Sequence, residues 1–125
     1  MTKRSNSTLA YWVSAARLRT LPLAFAVIAL GGGLASFHKK NSFEISIFLL
    51  ALLTSFSYQV LSNYANDLGD GLRGTDAEKK GEQRAIASGL ISIKAMKKAV
   101  LVFTWLALIS GATLITLAFT SIELQ

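Results

Sequence analysis

The chain has 125 residues, no cysteine, one histidine and a formal net charge of +6. The absence of cysteine excludes a disulfide framework and a thiolate metal site, and a single histidine excludes a multi-histidine metal cluster within the chain. Hydrophobic residues make up 52% of the sequence and the mean hydropathy is +0.46, values that are too high for an ordinary soluble domain of this length.

Three windows contain no Asp, Glu, Lys, Arg or His, namely 20–37, 45–66 and 99–122. A helix rises about 1.5 Å per residue and the apolar core of a bilayer is about 30 Å thick, so each window is long enough, or nearly so, to cross it. Lipid cannot form hydrogen bonds with the backbone N–H and C=O groups. The windows are therefore expected to be helices, in which these groups bond to one another. The sequence therefore predicts an all-α integral membrane helix bundle with transmembrane helices at about 20–37, 45–66 and 99–119.

The segment before the first window is polar over residues 1–10, which we expect to be frayed. The next stretch, "YWVSAARLR" at 11–19, predicts an interfacial helix. Tyr11 and Trp12 suit the level of the lipid headgroups, and Arg17 suits its aqueous side.

Basic residues are distributed unevenly around the windows. Four Lys or Arg residues precede the first window, two follow it, and seven lie between the second and the third. This asymmetry predicts that the N-terminus and the 67–98 loop are cytoplasmic. Topology then accounts for the positive charge, and nucleic acid is not expected as a partner. A signal peptide over the first window, ending near "GLA" at 33–35, remains an alternative.

The most polar stretch of the chain, "NYANDLGDGLRGTDAEKKGEQRAIASGLIS" at 63–92, follows the second window. Asn63, Asp67 and Asp70 stand at positions i, i+4 and i+7, and Asn66 stands four residues before Asp70, so a helix would present them to one side. The second helix is therefore predicted to end in a cluster of amide and carboxylate oxygens.

Gly69, Gly71 and Gly74 are predicted to stop regular helix, so that Asp76 returns from a loop. Several hard oxygen ligands near a cytoplasmic surface indicate Mg²⁺, which keeps coordination places for phosphate oxygens. Basic side chains of the same loop could meet the remaining phosphate charge; they are Arg73, Lys79, Lys80 and Arg84. The alternative is a solvated loop in which turns and caps occupy the Asp side chains.

The sequence of this loop partly matches two other motifs. Residues 67–78 have the length of a calcium-binding EF loop, but positions three and five are glycine and position six is Leu72, which excludes that site. "DLGDG" at 67–71 matches the opening of the CDP-alcohol phosphotransferase pattern, whereas the Ala-Arg that should follow is absent and no Asp appears after Gly81. That membrane enzyme class stays as an alternative.

The motif "NDLGDGLRGTD" at 66–76, with "SGLIS" at 88–92 and "ARLRTLPLA" at 16–24, resembles the UbiA superfamily of membrane prenyltransferases. The spacing that places Gly-Thr before Asp76 is similar to the menaquinone branch, the 1,4-dihydroxy-2-naphthoate polyprenyltransferases. The resemblance covers roughly residues 11–119.

The resemblance implies a nine-helix fold and Mg²⁺-dependent transfer of a polyprenyl group from its diphosphate to an aromatic acceptor. It implies three catalytic residues, Asn66, Asp70 and Asp76, and three metal ligands, Asp67, Asp70 and Asp76. The resemblance matches Arg73 and Arg84 to basic positions that face the diphosphate, and the residues expected to bind substrate are Asn63, Arg73, Lys80, Arg84 and Arg17. Only the first of the family's two Asp-rich motifs is present, so the chain is expected to be an N-terminal portion that is inactive alone. A small non-enzymatic three-span membrane protein is the further alternative.

Overall fold

The computed structural model describes residues 3–38, 45–73, 86 and 89–123, and all regular structure within these ranges is helical. The elements are α1 (Lys3–Ala16), a 3₁₀ turn (Leu18–Thr20), α2 (Leu21–His38), α3 (Ile45–Arg73) and α4 (Ile93–Glu123). Three stretches are long and apolar enough to cross a membrane: Thr8–Phe37, Ile45–Arg73 and Ile93–Thr120. The predicted all-α fold with three membrane-spanning helices is therefore confirmed.

Helices α3 and α4 form an antiparallel pair with the most extensive contact in the chain. The ring of Phe103 packs edge-to-face on Tyr64, with 5.5 Å between ring centroids, and Gly111 lies near Thr54 toward the other end. Small side chains let membrane helices approach closely where water is absent. The buried small residues of this pair are Ser57, Ala107 and Ser110.

The apolar core lies at one end of the bundle, where α1 ends, α3 ends and α4 begins. Its buried members are Ala15, Ala16, Val60, Tyr64, Ile86, Ile91 and Met96. Elsewhere the large apolar side chains point outward, and few residues of the most apolar windows are buried within the chain. Exposed apolar surface over whole helices suits contact with lipid or with further apolar helices.

The beginning of the chain differs from its prediction. Residues 1–10 were expected to be frayed, yet α1 is helical from Lys3 and continues to Ala16. Within α1, the Trp12 indole packs edge-to-face on Tyr64 at a centroid separation of 5.5 Å, and its position at headgroup level stays a prediction. Contacts of Trp12 and Ala16 with α3 stabilise the second half of α1, because packing rather than intrinsic propensity stabilises most helices in proteins.

The end of α3 also differs from its prediction. Gly69 and Gly71 were expected to interrupt the helix, but α3 runs through both and ends at Arg73. Each glycine costs about 1 kcal/mol relative to Ala in a helix interior, a cost that packing against α4 and Ile86 offsets. Helix α4 begins at Ile93, before the predicted Ala99, because Ser92 caps it by accepting a hydrogen bond from the Ala95 amide at 3.2 Å.

Candidate functional site at the polar end of α3

The last three turns of α3 carry the predicted site. The helix has 29 residues and is therefore about 43 Å long, which exceeds the roughly 30 Å apolar core of a bilayer. Within these turns Asp67 is only 4% exposed and Asn63 7%. Asp70 is partly buried, whereas Asn66 and Arg73 are exposed. The carboxylates can thus lie outside the hydrocarbon while remaining close to the packed core.

One face of α3 points into the bundle. Val60, Tyr64, Asp67 and Gly71 follow one another at intervals of four, three and four residues, which places them on one side of a helix. The first three are buried, and Gly71 contacts Ile86. A carboxylate in such surroundings is costly unless it is compensated. Asp67 is therefore the most confined of the predicted site residues that the structure describes, and Asp70 stands at the margin of the same face.

Asn63 is bound to the backbone of α1. Its side-chain amide donates a hydrogen bond to the Ala16 carbonyl oxygen at 2.8 Å. One turn earlier in α1, the Trp12 carbonyl oxygen accepts a hydrogen bond from the Tyr64 hydroxyl at 3.2 Å. Ala16 is the last residue of α1, and the last carbonyls of a helix lack partners within the helix, so the Asn63 side chain satisfies one of them. Asn63 was predicted to bind substrate, and in the structure its side-chain amide instead donates to the backbone of α1.

Arg17 stands directly after this contact, at the break between α1 and α2. Its backbone is left-handed, with φ 50° and ψ 51°, a conformation that costs about 1–2 kcal/mol for a residue with a side chain. The Thr20 backbone amide and hydroxyl both donate to the Arg17 carbonyl, at 3.0 and 2.9 Å. The Gln59 amide donates to the Thr20 hydroxyl at 2.9 Å. Asn63 and Gln59 thus hold the chain to α3 on both sides of Arg17.

The remaining predicted residues, Asp76, Lys80 and Arg84, lie outside the described residues. Within the part of the chain that the structure describes, no group of three or more His, Cys, Asp or Glu side chains could hold a metal ion. Asp67 and Asp70 are the ligand candidates in that part. Mg²⁺ is commonly held by one or two carboxylates, with water and phosphate oxygens completing its shell. Asp67 and Asp70 match this small number of carboxylate ligands.

Basic side chains surround the same end of the bundle. Arg73 is exposed at the end of α3, and the first turns of α4 carry exposed Lys94, Lys97 and Lys98. The carboxylates therefore lie at an end of the bundle that can also attract anions.

Sequence reasoning missed the contacts that organise this end. Gln59, Tyr64 and Ile86 were not singled out and Gly71 was interpreted only as a helix breaker, although the four-three-four spacing from Val60 to Gly71 is visible in the sequence. That spacing could have indicated a buried face, because residues three and four positions apart line the packed side of a helix.

The chain is similar to curated bacterial enzymes. It is 38% identical over 122 residues to a 1,4-dihydroxy-2-naphthoate octaprenyltransferase of Haemophilus influenzae, covering 97% of this chain and 40% of that protein. It is 38% identical over 119 residues to the Escherichia coli protein of the same name, covering 94% of this chain and 38% of the relative. It is 35% identical over 113 residues to the Mycobacterium tuberculosis protein of the same name, covering 90% of this chain and 38% of that relative.

The chain thus spans about two fifths of the length of the curated relatives it matches. No family model matches the chain, and no solved structure matches it. The resemblance drawn from the motif at 66–76 is confirmed by relatives that match almost the whole chain. Over nearly its whole length, the chain is similar to part of the 1,4-dihydroxy-2-naphthoate octaprenyltransferases.

Proposed function

We propose that this chain forms part of a membrane prenyltransferase that moves a polyprenyl group from its diphosphate to 1,4-dihydroxy-2-naphthoate, in menaquinone biosynthesis. The observation that carries the proposal is the 38% identity to two octaprenyltransferases over at least 94% of the chain. The geometry supports it, since two carboxylates and exposed basic residues lie at one end of a bundle of apolar helices, where Asn63 bonds to the Ala16 carbonyl oxygen beside Arg17.

The reaction sets clear chemical demands. The bond between the first prenyl carbon and the diphosphate oxygen breaks, and the diphosphate leaves with the bonding electrons. The prenyl carbon then bonds to the ring carbon that carries the carboxylate, and that carboxylate departs as carbon dioxide. The site must therefore bind a highly charged leaving group beside an apolar compartment that keeps water from the allylic cation.

Residues of this chain would bind the diphosphate end of the donor. Asp67 and Asp70, together with Asp76, would hold Mg²⁺, which when bound stabilises the negative charge on the departing diphosphate. Arg17, Arg73, Lys80 and Arg84 would meet the remaining phosphate oxygens, the arginines in bidentate fashion.

Two residues have different tasks in this proposal. Asn66 would orient the diphosphate or its metal from the exposed side of α3. Asn63 would act indirectly, by holding the backbone beside Arg17 through the Ala16 carbonyl.

The apolar helices would form part of the wall around the polyprenyl chain. Exposed Leu23, Val27, Leu30 and Leu34 run along one side of α2, at the spacing of one helical face. We place the polar end of α3 at the cytoplasmic side of a bacterial cell membrane, with the N-terminus on that side, on the strength of the charge asymmetry.

The test is prenyl transfer by the full-length protein carrying this sequence, in membranes of cells that lack their own activity. Octaprenyl diphosphate and 1,4-dihydroxy-2-naphthoate are supplied with Mg²⁺ or with excess chelator, and the prenylated, decarboxylated product is measured. A monocyclic aromatic acid serves as the control acceptor. We expect product from the naphthoate that disappears with the chelator. Protein that accumulates in the membrane but prenylates neither acceptor would overturn the proposed activity, and prenylation of the control acceptor alone would overturn the acceptor assignment.

A further inference from the structure

We propose that Gly71 and Ile86 are positioning residues, whose direct contact fixes the carboxylate-bearing end of α3 against the chain that leads into α4. This inference rests on the proposed function for its catalytic consequence. The contact itself is a feature of the described residues, and neither the Asp-rich motif nor the relatives assign a role to it.

The contact leaves no room for a side chain at position 71. A Cβ atom built on Gly71 would lie 2.5 Å from Ile86 Cγ2 and 3.0 Å from Ile86 Cβ. Both atoms belong to the stiff, branched base of the isoleucine side chain, which cannot swing away as a long flexible side chain can. A side chain at position 71 would therefore displace the backbone of residue 86 or the end of α3.

Ile86 is held firmly on its other sides. Its side chain is 9% exposed and belongs to the core cluster that contains Tyr64, Ile91 and Met96. Its carbonyl oxygen accepts a hydrogen bond from the Gly89 amide at 2.9 Å, and Gly89 has φ +72°, which a glycine adopts without strain. Displacement caused at position 71 would consequently fall on the end of α3.

That end of α3 carries the proposed site. Gly71 is adjacent to Asp70 and lies one turn beyond Asp67 on the same helix face. The Gly71–Ile86 contact therefore sets the position of both carboxylates relative to the start of α4.

Gly69 provides a matched control in the same helix. It also neighbours Asp70, but a Cβ atom built on it has nothing within 4 Å. Replacing either glycine by alanine brings the same gain in helix propensity, about 1 kcal/mol. Both alanine variants therefore have the same effect on helix propensity. Only the variant at position 71 introduces an atom that collides with Ile86.

The experiment compares G69A and G71A in the full-length protein carrying this sequence. We expect G71A to raise the KM for octaprenyl diphosphate by about tenfold or more, with a smaller change in the KM for the acceptor, since the diphosphate is the part held by these groups. We expect G69A to match the wild type. Equal KM values for the diphosphate in both variants would overturn the proposal.

A double-mutant cycle identifies the contact as the cause. I86A removes Cγ2, the atom that a Cβ at position 71 would meet first, whereas I86V retains it. Substitution G71A should therefore have a smaller effect on KM in the I86A background than in wild type or I86V. Additive effects in the I86A background would show that position 71 acts through something other than Ile86, and would contradict the proposal.

A readout independent of catalysis separates this inference from the proposed function. Lys79, Lys80 and Arg84 are trypsin sites in the chain between the two positioning residues. In detergent-solubilised protein we expect G71A to be cleaved there faster than wild type and G69A. If no variant transfers prenyl groups but this difference appears, the proposed function fails and the positioning contact stands. Equal cleavage rates in all three proteins would refute the contact itself.

Discussion

The side-chain amide of Asn63 donates a hydrogen bond to the Ala16 carbonyl oxygen at 2.8 Å, across 47 positions of sequence. Both residues are buried, with exposed fractions of 7% and 4%. This bond ties the polar end of α3 to the end of α1, immediately before the left-handed Arg17. It therefore links the helix that carries the carboxylates to the predicted substrate-binding arginine of the first segment.

We expect N63A to destabilise the protein by about 1–3 kcal/mol, because the Ala16 carbonyl would lose its partner in a buried setting. Exposed Asn66, three residues away, is the matched control, and N66A should change stability by less than about 0.5 kcal/mol. Thermal denaturation of the full-length protein in detergent measures both. Equal stability of the two variants would mean that the Asn63–Ala16 bond contributes nothing measurable.

Tyr64 makes two kinds of contact that can be separated. Its ring packs edge-to-face on both Trp12 and Phe103, and its hydroxyl donates to the Trp12 carbonyl. Y64F removes the hydrogen bond alone and should cost about 0.5–1.5 kcal/mol, whereas Y64A removes the ring and should cost about 3–5 kcal/mol. Tyr58 is 50% exposed, so Y58F should leave the denaturation midpoint unchanged. A similar loss for Y64F and Y64A would show that packing of the ring is unimportant.

Helix content was predictable because apolar windows without charge leave few alternatives in lipid, and the three predicted spans reappear in α2, α3 and α4. The positions at which the helices end were not predictable from the sequence. Glycine propensity at Gly69 and Gly71 predicted a break, but the close approach of Ile86 makes glycine necessary inside the helix at position 71. The contact joins residues 15 positions apart, so no local pattern in the sequence reveals it.

The placement of the predicted site residues was predictable only in part, for the same reason. The spacing of Asn63, Asp67 and Asp70 correctly indicated a shared helix face. It could not show that Asn63 would be bonded to α1 or that Asp67 would be more buried than Asp70, because these outcomes depend on which neighbouring helix packs there.

The orientation in the membrane can be tested by cysteine labelling, since the chain has no cysteine of its own. We expect cysteines at positions 92 and 40 to react with a membrane-impermeant reagent from opposite sides, because α3 would separate them. Position 92 should be labelled from the cytoplasmic side. Labelling of both positions from one side would contradict the proposed topology.

Arg84 is expected to bind phosphate in addition to setting topology. R84K keeps the charge but loses the planar fork that binds phosphate oxygens in pairs. We expect a severalfold rise in the KM for octaprenyl diphosphate. R4K, at an arginine outside the predicted site, is the control and should leave that KM unchanged. If R84K also left KM and kcat at wild-type values, Arg84 would be a topology charge only.

The carboxylates are expected to differ in how strongly each contributes to Mg²⁺ binding. Asp70 is partly buried and Asp67 almost completely so, which leaves Asp70 better placed for an ion shared with a diphosphate. A diphosphate and a carboxylate repel each other unless a cation lies between them, so removing a ligand charge weakens both metal binding and leaving-group stabilisation. D70N and D76N should each lose most prenyl transfer while the protein still accumulates in the membrane. Because asparagine preserves the shape of the side chain, these variants change charge with little change in volume.

The measurement is prenyl transfer as a function of Mg²⁺ concentration in membranes. We expect D70N and D76N to require about tenfold more Mg²⁺ for half-maximal rate, corresponding to about 1.4 kcal/mol. D67N should shift this concentration less, because the burial of Asp67 limits its access to a shared ion. Wild-type Mg²⁺ dependence in both D70N and D76N would exclude these residues as ligands. The carboxylates would then serve as caps and turns at the end of α3, and the basic residues alone would have to bind the diphosphate.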